Sequence, residues 1–147
     1  MSEPDDNLLK IAAVVRRSLA KSGHVNQHRS IMRDVIDGRV EVYGHENALI
    51  VLEKSRGWLC ILAIETDLDT LAGDVALFCS KFCKRHNLLG VRVAPRPGWW
   101  RVMNGFVTQG ADGSLCMMNE DLLKWADAHR RKRNKAKAFK QALADHT

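Results

Sequence analysis

The segment Gly90-Val-Arg-Val-Ala-Pro-Arg-Pro-Gly-Trp-Trp-Arg-Val-Met-Asn-Gly-Phe106 gives the most information about the fold. Its first residues are typical of a short strand, and Pro95 and Pro97 then keep the backbone extended. Gly98–Asn104 can form two helical turns, and Gly105 can supply a left-handed C-cap. We therefore expect a strand, a turn and a short helix that ends at a Gly-Phe pair.

The elements upstream of this segment indicate an α/β fold. The apolar periodicity predicts two helices and then three strands, at 7–21, 24–36, 39–43, 48–53 and 58–65. Asp5, Asp6 or Asn7 can cap the first helix. A third helix is expected at 71–86. Because that helix separates the strand at 58–65 from the one at 91–94, these two strands should be parallel.

The elements downstream are a hairpin and one long helix. The hairpin is expected within 106–118, around a glycine-containing turn, and Asn119 or Asp121 can cap the helix that follows. The tail contains no proline or glycine, which favours continuation of this helix. We divide the chain into an α/β domain, 1–119, and a basic helical extension, 120–147.

The positive charge of the chain lies in its tail. Residues 130–147 contain seven of the 23 lysines and arginines and one of the 17 acidic residues, so residues 1–129 hold sixteen of each. The cations are Arg130, Arg131, Lys132, Arg133, Lys135, Lys137 and Lys140. Such a run is neutralised by nucleic-acid phosphates or by an acidic partner protein, or it stays solvated. Phe139 and Leu143, one turn apart, could dock on a partner.

The order of elements resembles that of the GNAT-type N-acetyltransferase superfamily over about residues 25–118. In that fold a helix, a strand, a short helix ending in Gly-Phe and two last strands form the C-terminal half. Arg101–Phe106 stands where the family has an aromatic-x-x-x-Gly-Phe segment. The chain is most similar to the small GNAT-like proteins of tailed bacteriophages, with their Arg-x-Gly-Trp-x-Arg-Val-hydrophobic signature. The matching residues are Arg96, Gly98, Trp99 or Trp100, Arg101, Val102 and Met103.

Two departures from the family argue against catalysis. The resemblance implies a pyrophosphate-binding Gln/Arg-x-x-Gly-x-Gly/Ala loop for acetyl-CoA, but 65–74 has one glycine, no arginine and four acids. Acids at a helix N-terminus suit the helix dipole and repel a pyrophosphate. The family's leaving-group tyrosine corresponds to Arg101, and the chain's one tyrosine, Tyr43, lies far upstream. We therefore assign no catalytic or cofactor-binding residue. Acetyl-CoA is expected as the cofactor only under the alternative that the chain is an active acyltransferase.

Three further groups of residues have both a functional and a structural interpretation. Cys79, Cys83 and His86 share one helix face and could bind zinc, but buried thiols are favoured. The acids Glu65, Asp67, Asp69 and Asp74 could hold a hard cation, but helix capping by Asp69 or Thr70 and solvation are favoured. For His24, His28 and His45 we favour surface positions without a catalytic role. We therefore assign no metal site.

The adjacent tryptophans are the most ambiguous feature of the chain. Trp99 and Trp100 cannot point the same way in a short helix, so we expect one in the core and one partly exposed. An exposed tryptophan beside Arg96 and Arg101 could contact a protein or stack on a nucleobase. The alternative is a buried pair that covers the sheet edge.

These patterns lead to one functional hypothesis and two alternatives. We expect a non-catalytic, virion-associated phage protein whose basic helix contacts other virion proteins in an oligomeric assembly, or packaged DNA. The alternatives are an acyl-CoA-dependent N-acyltransferase and a small nucleic-acid-binding regulator. The four cysteines lack a disulfide-framework spacing, and the acidic N-terminus does not resemble a secretion signal. The longest apolar run, Trp58–Ile64, is too short to span a bilayer. We expect a virion or host-cytoplasm location.

Overall fold

The computed structural model describes residues 3–45, 48–94 and 99–145, without the side chains of residues 3–6, His45 and Trp100. The helices are α1 (Glu3–Ser22), α2 (His28–Ile36), α3 (Leu68–Thr70), α4 (Ala76–His86), α5 (Trp99–Val102) and α6 (Asn119–Asp145). The strands are β1 (Glu41–His45), β2 (Ala48–Ser55), β3 (Trp58–Thr66), β4 (Gly90–Val93), β5 (Thr108–Gln109) and β6 (Leu115–Met118). The prediction of an α/β fold, with a mixed sheet flanked by helices and a basic C-terminal helix, is confirmed.

The six strands form one sheet in the order β1-β2-β3-β4-β6-β5. Every neighbouring pair is antiparallel except β3 and β4, which are parallel, as the intervening helix predicted. These two strands pair at three positions, from Leu59↔Val91 to Ile61↔Val93. β3 continues to Thr66, so its last residues extend beyond the end of β4.

The β2–β3 hairpin sets the register of the middle of the sheet. Its two-residue turn places Arg56 and Gly57 at φ values of 54° and 84°, the left-handed conformation that a tight hairpin requires. The register shifts between Val51 and Leu52, where β3 contains an extra residue. Such a bulge bends the strand and increases its twist.

Each face of the sheet is covered by helices. On one face α1 and α2 bury a cluster of Val15, Leu19, Ile31, Val40, Val51 and Ala63. On the other face, α4 and the first turns of α6 bury the larger cluster, which includes Ile64, Leu71, Val75, Cys79 and Trp125. The core is therefore split between two layers, with the sheet as the middle layer.

Gly90 fixes the approach of β4 to the start of α6. A Cβ atom at this position would collide with the backbone oxygen of Met117 and the Cα of Met118. The Asn119 N–H group donates to the Leu89 oxygen at 2.9 Å. Only glycine permits this close backbone contact, so Gly90 sets where α6 leaves the sheet.

Several predicted boundaries were wrong. The first strand runs from Glu41 to His45 and not over 39–43, and α2 begins at His28 and not at His24. α1 begins at Glu3, so Asp5, Asp6 and Asn7 lie within its first turns and do not precede it as caps. Among the described residues, α5 has one turn, because the Met103 N–H bonds to Trp99 O and the chain then leaves the helix. Gly105 has φ +92°, the left-handed conformation expected there. Within the described ranges, no helix combines the length and apolar character needed to cross a bilayer.

Candidate functional site

The acidic segment after β3 forms the start of a helix. Asp67 has an extended backbone, and its side chain accepts a hydrogen bond from the Thr70 N–H at 2.7 Å. This hydrogen bond is the largest cause of the lowered pKa of Asp67. The prediction that Asp69 or Thr70 is the cap was therefore wrong by two or three residues. Because Asp67 takes the capping role, the carboxylate of Asp69 can interact with other elements.

Asp69 binds the C-terminal helix. Its Oδ1 atom lies 3.0 Å from an Arg133 guanidinium nitrogen and 4.0 Å from Nε2 of His129. Both partners lie on α6, one turn apart. Asp69 is one of the four acids that argued against pyrophosphate binding. In the structure it forms an ion pair with Arg133 of the tail.

Glu65, at the end of β3, pairs with α1 on the other side of the sheet. The Arg17 guanidinium donates two hydrogen bonds to its carboxylate, at 2.7 and 2.9 Å. The neighbouring Ser18 hydroxyl is buried and accepts from the Ile64 N–H at 2.9 Å. At the carboxyl end of β3, Glu65 and the Ile64 N–H therefore bond to side chains of α1. In the helix that follows, Asp69 instead pairs with α6.

The first part of α6 is built into the core. Leu122, Trp125 and Ala126 are buried, and the Trp125 indole N–H donates to the Val102 oxygen at 3.1 Å. The Trp125 ring also stacks on His129, with centroids 5.8 Å apart. One aromatic residue thus connects α6, α5 and the acidic helix start through His129 and Asp69.

The second part of α6 leaves the body. Every residue from 130 to 145 is exposed, including Phe139 at 65% and Leu143 at 53%. In the basic run, the ion pairs found among the described residues are Arg130–Asp127 and Arg133–Asp69. The other five cations, all exposed and without an ion pair in those ranges, are Arg131, Lys132, Lys135, Lys137 and Lys140. Because successive helical residues turn by about 100°, these five cations are spread over about 240° of the helix circumference.

The interior beside β3 and β4, on the face covered by α4 and α6, is nearly filled. A cavity of about 50 Å³ remains there, lined among others by Ile64 and Val93 from the strands, Met103 just after α5 and Trp125 from α6. This volume is far below that of small-molecule sites, which are of the order of 300–1,000 Å³. The lining side chains are apolar, so the cavity offers a water few hydrogen-bond partners. Any larger ligand here requires the α5–α6 side of the core to move.

The candidate metal and thiol residues have structural roles. Cys79 and Cys83 are buried, as predicted, and burial raises the pKa of Cys79 to about 12 and that of Cys83 to about 11. The ring of His86 packs against that of Phe82, with centroids 4.4 Å apart and planes tilted by 40°. His28 lies 3.0 Å from the Ala12 oxygen and joins α2 to α1. In the part of the chain that the structure describes, no group of three or more His, Cys, Asp and Glu could hold a metal ion.

The structure describes only some of the residues at the Trp-Trp pair. Arg96 and the side chain of Trp100 lie outside the described residues. Trp99 is half-buried against the main core, and Arg101 is exposed. The sequence interpretation missed the ion pair between Arg133 and Asp69, which joins α6 to the start of the helix after β3. The available signal was the i, i+4, i+8 spacing of Trp125, His129 and Arg133, which places all three on one helical stripe.

Comparisons with protein-family models, with curated proteins and with solved structures give no significant match to this chain.

Proposed function

We propose that this chain is a non-catalytic accessory protein of a phage virion, in which the α/β body holds a cationic helix that binds packaged DNA. The observation that carries the proposal is the exposed segment 130–145, with its five cations free of acidic partners within the described chain. This segment of the helix makes few stabilising contacts with the α/β body of its own chain. Its charge is stabilised when a polyanion neutralises it.

The distribution of the cations favours DNA over a flat acidic surface. A flat partner would neutralise one face of the helix, whereas Lys137 points about 140° away from Lys132. A helix lying in the major groove has phosphates on both sides. The exposed segment of sixteen residues is about 24 Å long, which matches about two-thirds of a DNA helical turn. The charge is thus spaced for a partner that surrounds the helix.

Two features of the body support a non-catalytic role. The helix N-terminus that would have to hold a pyrophosphate carries Asp67 as its cap and Asp69 in a pair with Arg133. The cavity beside β3 and β4 is about 50 Å³. The virion assignment itself comes from the resemblance to small GNAT-like phage proteins, through Trp99, Arg101 and their neighbours.

The test is DNA binding by the full chain, measured by fluorescence anisotropy with a labelled duplex over a range of salt. If all five unpaired cations contact phosphates, the slope of log K against log salt is about −4.5. Replacing these five by glutamine should remove most of that slope. The matched control replaces five exposed body cations, Lys10, Arg16, Lys21, Arg29 and Lys81, and should keep it.

The outcomes separate the possible partners. Binding that survives the tail replacement would overturn the proposal. Absence of DNA binding, with binding to an acidic polypeptide that the tail replacement abolishes, would assign the helix to an acidic virion protein instead.

An acyl-CoA-dependent N-acyltransferase is the second candidate, and the parallel strands β3 and β4 favour it. They pair over three positions, and β3 then continues past the end of β4 while still paired with β2. Calorimetry with acetyl-CoA tests this. Binding that persists near physiological salt and after deletion of 130–147 would support the enzyme, and absence of heat at millimolar cofactor would exclude it.

A further inference from the structure

The exposed side of α2 carries a shallow depression of about 420 Å³. Its lining consists of His28, Arg29, Met32, Arg33, Ile36 and Asp37. All six belong to α2 or directly follow it, so the described part of the body supplies only one wall of the depression. The surface shares no residue with α6, so an inference about it does not depend on the DNA-binding proposal.

The centre of this surface is apolar and accessible. Ile36 is 65% exposed, and Met32, one turn earlier, is only partly buried against the core between α1, α2 and the sheet. The side of α2 that faces this core buries Ile31 instead. Ile36 therefore contributes little to the packing of its own chain. Methionine and arginine, which surround it here, are enriched at protein–protein interfaces.

The charges beside Ile36 change sign along the helix. Arg29 and Arg33 lie one turn apart, and Asp37 follows one turn later. All three are exposed, and within the described ranges no ion pair is found for any of them. Like charges one turn apart on a helix destabilise each other. An acid placed opposite the arginines therefore stabilises this surface.

A second copy of α2, antiparallel to the first, supplies that acid. In a two-fold contact, if residue i meets residue j, then j also meets i. With the axis near Met32 and Arg33, Arg29 of each copy lies opposite Asp37 of the other. The exposed Ile36 side chains then lie between the two Arg–Asp pairs. A parallel copy would oppose arginine to arginine, and a uniformly acidic partner would oppose an acid to Asp37, so the sign change favours self-association.

We propose that two copies of this chain associate through antiparallel α2 helices, with Met32 and Ile36 at the centre and an Arg29–Asp37 pair on each side. One face of a nine-residue helix is smaller than the roughly 800 Å² per partner of a standard interface, so the dimer is weak and concentration-dependent. Arg33 of both copies lies near the axis, and this like-charge contact weakens the dimer further.

Sedimentation equilibrium of the full chain without DNA, from about 10 µM to about 0.5 mM, tests the apolar centre. The dimer fraction should rise over this range. Ile36→Gln places a polar amide at the centre and should abolish the rise. The matched control is Leu9→Gln on α1, where the leucine is 68% exposed, and it should leave the dimer unchanged. Arg33→Gln removes the like-charge contact and should strengthen the dimer. Circular dichroism checks that each variant keeps its fold.

Charge reversal tests the pairing itself. Arg29→Asp and Asp37→Arg each turn both attractive pairs into repulsive ones and should weaken self-association by at least about tenfold. An equimolar mixture of these two variants should restore it, because the mixed dimer again contains two pairs of opposite charge. A parent chain that stays monomeric at about 0.5 mM would overturn the proposal. A dimer that Ile36→Gln leaves intact, or a mixture that associates no better than its components, would overturn it as well.

Discussion

The two halves of α6 are one continuous helix held by different forces. Residues 119–129 bury Leu122, Trp125 and Ala126 against the sheet, and the Trp125 indole bonds to α5. Residues 130–145 are exposed throughout. Apart from the ion pairs of Arg130 and Arg133 and a hydrogen bond from Gln141 to Asp145, they depend on alanine- and lysine-rich propensity to stay helical. Isolated helices of this length are marginal in water. The comparison shows that the body fixes the direction of the tail but contributes little to its stability.

The largest expected effect comes from removing the packing of the first half. Trp125→Ala deletes a buried indole and its hydrogen bond to Val102, and should cost about 3–5 kcal/mol of the free energy of unfolding. The matched change in the second half, Phe139→Ala, should stay within about 0.5 kcal/mol. Urea denaturation followed by circular dichroism measures both. Similar losses for the two variants would mean that the tail folds back on the body.

A smaller effect is expected at the helix start on which α6 packs. The hydrogen bond from the Thr70 N–H lowers the pKa of Asp67 in the folded protein. The capping carboxylate therefore stabilises the fold fully above the ordinary aspartate pKa of about 3.9. This stabilisation is lost as the pH falls through the lower pKa of the folded state. Asp67→Ala should therefore lower the denaturation midpoint at pH 7, and the difference from the parent should shrink as the pH falls below the folded-state pKa of Asp67.

Asp67→Asn is the control for this titration. It keeps an acceptor for the Thr70 N–H but has no carboxyl proton, so the midpoint should lose its acid dependence in this window. An unchanged acid dependence in the asparagine variant would assign the titration to another carboxyl group.

The smallest effect is expected where the two halves of α6 meet. Arg133 and Asp69 are both about half exposed, so Arg133→Ala should cost about 0.2–1 kcal/mol, and less at high salt. A double-mutant cycle with Asp69→Ala isolates the pair. A coupling that does not decrease with salt would indicate a more enclosed contact with His129.

Much of the fold was predictable because local patterns determine it. The parallel β3–β4 pair follows from the helix between them, and the hairpin at Arg56-Gly57 follows from its length and turn residues. Errors occurred at helix starts, where several side chains could serve as caps. Asp5, Asp6 and Asp69 were all plausible caps by residue type. The start of α1 at Glu3 excluded the first two, and the extended backbone of Asp67 excluded Asp69.

The candidate sites were predictable in part, for a similar reason. Residue types placed the thiols Cys79 and Cys83 in the core and the basic run on the surface. The sequence interpretation did not find the exposed surface of α2, because periodicity alone does not show which apolar residues of a helix the body covers. The structure buries Ile31 and leaves Ile36 exposed.

The sequence by itself determined the α/β class, the neutral body and the cationic helical tail, because periodicity, propensity and charge are properties of neighbouring residues. Only the tertiary structure decided what the acids after β3 do. Asp69 meets Arg133 and Glu65 meets Arg17 across distances of many residues. Such pairings depend on how the helices pack on the two faces of the sheet, and no local pattern specifies them.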